Sequence, residues 1–255
     1  MKILRRWSAS FTAVGLAVGC LAALPAQANI TGGAFNITAH NAAGDFATIK
    51  VPLPFGGSPW IWSSSQRIEM RSNRTGELIA VLNPPGHSSS VEYIDDPVVG
   101  MNFAVESGPT TTTFTITSAL LSFTPMDGEA RITAGFSCTD VDGDGATLTG
   151  IGNPSGAQGA YLAQYNGFAG TLTGSTFDEE IQSMSAGVFS TSVTSVDHPP
   201  VGFLSIPATV SDMSVMISFM LSPNDLASGT SSFVIQPPPL STENATWGGI
   251  KGLYR

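Results

Sequence analysis

The segment Asp140-Val141-Asp142-Gly143-Asp144-Gly145 is the densest concentration of chemistry in the chain. Three carboxylates at alternate positions can converge on one hard cation, and the glycine after them permits the sharp turn that convergence requires. The order is that of the first half of an EF-hand calcium loop. The twelfth position of such a loop should supply a bidentate glutamate, and here it is Ile151. Calcium held by Asp140, Asp142 and Asp144 therefore needs a further ligand, with Asp127, Glu129 or the Asp178-Glu179-Glu180 run as its source. The competing reading is a hairpin loop of ordinary turn residues that binds nothing.

Aromatic residues offer a second kind of site. Trp60 and Trp62 share one face of a short strand with Ile61 on the other, close to Gly56-Gly57 and Pro59. Exposed, they form a platform on which sugar rings stack; buried, they are core, as large aromatics usually are. Tyr161, with Tyr165 and Phe168 in the same glycine-rich stretch, is a further stacking candidate. Machinery for catalysis is scarce. The sequence has no HExxH, GxSxG, CxxC or glycine-rich phosphate loop. His40, His87 and His198 sit in loop-like contexts, and acidic pairs such as Asp95-Asp96 and Glu179-Glu180 could in principle serve a glycosidase. Catalysis is not expected, and a carboxylate-based polysaccharide hydrolase stands as the third reading.

The ends of the chain bear on where these groups would work. Lys2, Arg5 and Arg6 precede an uncharged stretch over residues 9–24, and Ala26-Gln27-Ala28 follows as a small-x-small cleavage site. That order is a secretory signal peptide over residues 1–28. Its removal deletes three basic residues and no acidic ones, taking the formal charge from −9 to −12. Such a balance argues against nucleic acid, which rewards basic patches. No later apolar run is long enough for a transmembrane segment. Cys138 is then the one cysteine left, with no partner for a disulfide, and reads as a small buried apolar residue. At the other end, Pro237-Pro238-Pro239 forms a stiff spacer before a tail that runs from Thr246-Trp247 to Tyr254-Arg255. The tail reads as a frayed or docked terminus, or as a signal for an envelope machine.

The body that must position these groups reads as strands. Charged residues are 11% of the chain, too few to wet the outer faces of helices, while Ser and Thr, which suit sheet surfaces, are abundant. Over residues 213–221, Met213, Val215, Ile217, Phe219 and Leu221 alternate with Ser214, Met216, Ser218 and Met220, a period of two. Further strands are expected over 46–51, 60–62, 66–71, 77–82, 99–105, 114–123, 130–138 and 232–235. Turn chemistry such as Asn83-Pro84-Pro85-Gly86 and Ser222-Pro223-Asn224-Asp225 punctuates them. The expectation is an all-β protein: one large antiparallel, jelly-roll-like β-sandwich over residues 29–236, followed by the spacer and tail over 237–255. Helix is expected to be minor, confined to single turns near 177–181 and 223–227.

Several phrases resemble the bodies of exported bacterial PEP-CTERM-type surface proteins. They are residues 112–123, with Phe114, Ile116, Leu121 and Phe123 among Thr and Ser; the run Asp142-Gly143-Asp144-Gly145 continuing to 150; Ala160-Tyr161-Leu162-Ala163-Gln164-Tyr165-Asn166-Gly167; and 219–222 with 227–235. The likeness spans roughly residues 99–235 and uses phrases of low specificity. The C-terminus departs from that family, lacking the Pro-Glu-Pro signature, apolar span and arginine cluster. The resemblance implies a bacterial cell-surface or extracellular β-sandwich and no particular chemistry. Together these readings give a secreted or surface-displayed, non-catalytic protein with a structural, matrix or adhesive role. Its partners would be extracellular polysaccharide or envelope components. The alternative is a calcium-assisted carbohydrate-binding module.

Overall fold

Alternation of apolar with hydroxyl side chains leaves this chain one economical way to bury its Phe, Ile and Val residues: extended, with successive side chains on opposite faces. The computed structural model describes residues 28–32, 34–53, 59–152 and 158–239. Along them run β1 (Asn29–Gly32), β2 (Phe35–Asn41), β3 (Phe46–Val51), β4 (Trp60–Ser64), β5 (Ile68–Arg71) and β6 (Leu78–Leu82). Then come β7 (Ser89–Ile94), β8 (Val98–Ser107), β9 (Thr112–Thr117), β10 (Leu120–Thr139), β11 (Ala146–Gly150) and β12 (Tyr161–Tyr165). The last are β13 (Ser175–Glu180), β14 (Ser183–Ala186), β15 (Thr191–His198), β16 (Leu204–Leu221) and β17 (Leu226–Gln236).

Hydrogen bonding links all seventeen, yet the strands lie in two layers. In the first, β3, β2, β9 and the C-terminal half of β16 are successive neighbours; β12 and β11 then pair with β16, and β13 and β14 lie beyond them. The second runs β4, β7, β8, β17, the C-terminal half of β10, and β15. The β5–β6 hairpin sits on the same edge of β8 as β7. Aromatic rings join the layers: Phe103 to Phe219 at 5.7 Å, Phe177 to Phe233 at 5.6 Å, and Trp62 to Phe35 at 5.4 Å between centroids.

Two strands belong to both layers. The N-terminal half of β10 pairs with β1 and with the first half of β16, and its C-terminal half pairs with β17 and β15. The bend falls near Gly128, where the register slips between Asp127 and Glu129 and an added Cβ would come within 3.1 Å of Ile235. Bulges of this kind turn a strand from one sheet into another. The segment expected as one strand over 114–123 is broken at Ser118 and Ala119. There the Ala119 N–H donates to the buried Tyr93 hydroxyl of the opposite layer at 2.6 Å. β17 is held on both sides, paired with β8 over residues 226–234 and with β10 over 226–236.

The all-β antiparallel sandwich expected from the sequence is the fold found. Helix is the correction, for none forms among the described residues. The acidic run Asp178-Glu179-Glu180, which resembles a helix start, is held extended by its ladder to β12, and residues 223–224 form a turn that leads straight into β17. The expected leader, apart from Ala28, and the tail over 240–255 lie outside the described residues; residues 237–239 are exposed and irregular. Cys138 is wholly buried, as expected.

Candidate metal centres

The Asp140 loop joins β10 to β11. Gly143 and Gly145 both take a positive φ of 94°, and the Phe189 ring lies so close over Gly143 that a side chain there has no room. Asp140 is buried and organises the loop: its carboxylate accepts the Gly143 N–H at 3.1 Å and the Phe189 N–H. Burial alone would raise its pKa, but these donors, with the N–H groups of Gly145 and Asp144, together hold it below the ordinary value. Asp142 is exposed and accepts an amide N–H of Asn224 at 3.0 Å. Asp144, also exposed, is raised, first by its hydrogen bond with Asp142 and then by that residue's charge.

One carboxylate oxygen from each of Asp140, Asp142 and Asp144 lies within 4.8 Å of the others. The arrangement can take a hard cation, although much of Asp140's capacity is spent on backbone donors. Among the described residues none of Asp127, Glu129, Asp178, Glu179 and Glu180 joins this group. Instead Asp225, fully buried behind the loop, accepts from Ser222 Oγ and the Val141 N–H, and burial raises its pKa.

Asp178 and Glu180 form a second group with His198. Both carboxylates point inward from β13, beside the inward-facing Ala163 and Tyr161 of β12. His198, expected in a loop, is the last residue of β15 and faces the same space from the other layer. Its Nδ1 lies 3.7 Å from Asp178 Oδ2, and its ring meets Phe177 edge-on at 5.7 Å. One donor atom from each of the three residues falls within 4.8 Å of the others. Glu180 is raised by burial first and by the Asp178 charge second. The sequence offered no signal for this meeting. Along β15 one valine lies on each face, Val193 outward and 74% exposed and Val196 inward against the core, so a hydrophobic pattern picks out neither face.

The aromatic candidates are differently placed. Trp60 and Trp62 share a face of β4, half-buried against the core, with Trp60 6.0 Å from Tyr93 and Trp62 against Phe35; Ile61 is the exposed one. Tyr161 is wholly buried and presents no face to solvent. Elsewhere, a shallow pocket of about 110 Å³ is lined by Gly44, Asp45, Phe46, Ser72, Asn73 and Arg74, and the Arg74–Asp45 ion pair at 3.0 Å forms part of it. No protein-family model matches the chain, and no curated protein matches it.

Proposed function

We propose that the chain is an exported β-sandwich of the bacterial cell surface or surroundings, with a structural or adhesive role and no catalysis. The observation that carries this reading is the chemistry of the outer sheet faces. Hydroxyls pair across neighbouring strands: Thr38 with Thr48, Ser137 with Ser228, and Thr139 with Thr191, at 2.7–3.1 Å. Such groups can exchange hydrogen bonds with the hydroxyls of a polysaccharide or of another hydroxyl-rich envelope polymer. The signal-like N-terminus and the resemblance to exported surface proteins support the location. Fractionation of expressing bacteria, with co-sedimentation of the purified protein on envelope polysaccharide, tests both halves. Protein outside the cytoplasm that pellets with polymer is expected; cytoplasmic retention, or no pelleting at any polymer load, overturns the reading.

A calcium-assisted carbohydrate-binding module is the second reading, favoured by the three convergent carboxylates of the Asp140 loop. It requires that polysaccharide retention fall on chelation and on Trp60→Ala. Retention indifferent to both removes it.

A further inference from the structure

The inner space between β13 and β15 holds polar groups that the sandwich itself leaves unserved. Asp178 Oδ2 is buried without a hydrogen bond, and Tyr161 Oη and Ser231 Oγ are buried with no partner but each other. Tyr161 is 0% and Ser231 7% exposed. They lie together: the Asp178 charge acts on the Tyr161 phenol, and Ser231 is its polar neighbour. A sandwich core normally excludes such groups, because an unserved buried hydroxyl costs about 1–3 kcal/mol. Tyr161 stands opposite Glu180 in the β12–β13 register, on the inner face that also carries Asp178.

We propose that Asp178, Glu180 and His198 bind a zinc-class divalent transition-metal ion, beside the buried hydroxyls of Tyr161 and Ser231. The donor set selects the class. Imidazole with carboxylates suits Zn²⁺ and its neighbours, which accept three protein ligands and one further donor. Calcium prefers roughly six to eight donors that are all oxygen, and here one of the three ligands is an imidazole nitrogen. The His198 side chain is 37% exposed and gives an ion a way in. No backbone pairing joins β13 to β15, so the ion would tie an edge of the first layer to an edge of the second.

The test is calorimetric titration of the purified protein with Zn²⁺, repeated with Co²⁺ to read the visible spectrum of a nitrogen-ligated ion. One equivalent per chain is expected, weakened at least tenfold by His198→Ala and by Glu180→Gln and unchanged by Asp144→Asn. The Co²⁺ spectrum reports the imidazole in the unaltered protein, so the test survives if either variant fails to fold. No uptake, uptake that persists in both variants, or uptake lost in Asp144→Asn overturns the proposal. None of these results bears on cell location or polymer binding, which stand or fall separately.

Discussion

Phe103 on β8 and Phe136 on β10 meet edge to face, ring centroids 5.3 Å apart, although β17 runs between their strands. They meet because the intervening residue is Gly229, where an added Cβ would fall 2.6 Å from one ring and 2.7 Å from the other. Glycine in a strand interior marks such a close approach. Gly229→Ala is therefore expected to lower stability by about 1–3 kcal/mol through overpacking. Urea unfolding measures it, and an unchanged midpoint would mean that the rings part without cost.

Tyr93 supplies the acceptor for the Ala119 N–H at the break between β9 and β10. Tyr93→Phe keeps the ring and leaves that buried donor without the phenol. The expected loss is about 1–3 kcal/mol, read from chemical denaturation. An equal stability would mean that water takes the position.

In the Asp140 loop, Asp142 and Asp144 oppose each other's charge. Asp144→Asn relieves that opposition, so in chelator the variant should melt no lower than wild type. If the loop takes calcium, wild type gains in midpoint with millimolar Ca²⁺ and the variant does not, since a ligand confined to the folded state raises the midpoint. A wild-type melt deaf to Ca²⁺ would make the loop an ordinary turn.

Asp45 is buried and accepts from Ser72 at 2.7 Å and from Arg74 at 3.0 Å. The Arg74 hydrogen bond first, and then Ser72, hold its carboxyl below the ordinary value of 3.8. A lowered folded pKa stabilises above the unfolded value, and that stabilisation is lost as pH falls through the lowered one. Asp45→Asn should thus melt below wild type at neutral pH, with the gap closing once the pH drops beneath about 3.8. A gap that stays constant into acid would assign the loss to packing.

Burial raises the Cys138 thiol to about 11, with the Asp225 and Asp140 charges adding to it. At pH 8 the folded protein should resist a thiol reagent and react fully at Cys138 once unfolded. Prompt reaction of folded protein would show that β10 opens locally.

Legibility followed burial. Strands with one wet face were readable: residues 46–51 are β3 as expected, and 213–221 end β16. Along 213–219, however, Ser214, Met216 and Ser218 are buried too. Ser214 is held there by the loop after β12, donating to the Gly167 carbonyl and accepting from the Ala169 N–H. β12 itself is buried at all five positions, with Leu162 packed against Met216 and Ala169 on the outside, so its alternation is erased.

The candidate sites divide in the same way. The three carboxylates of the Asp140 loop are neighbours in sequence, and their convergence could be anticipated from spacing alone. Asp178 and His198 are brought together by the pairing of β13 with β12 and of β15 with β10, which is long-range information. Trp60 and Trp62 were legible as one face of a strand, but whether that face met solvent depended on Tyr93 and Phe35, distant in sequence.

The double pairing of β17 has a mechanical side. A pull on residue 239 along the strand axis loads the ladders to β8 and β10 in shear, so their rungs must give way together rather than one at a time. A tether attached beyond the proline spacer would thus transmit tension into a strand held on both sides, and the domain would resist traction from that end.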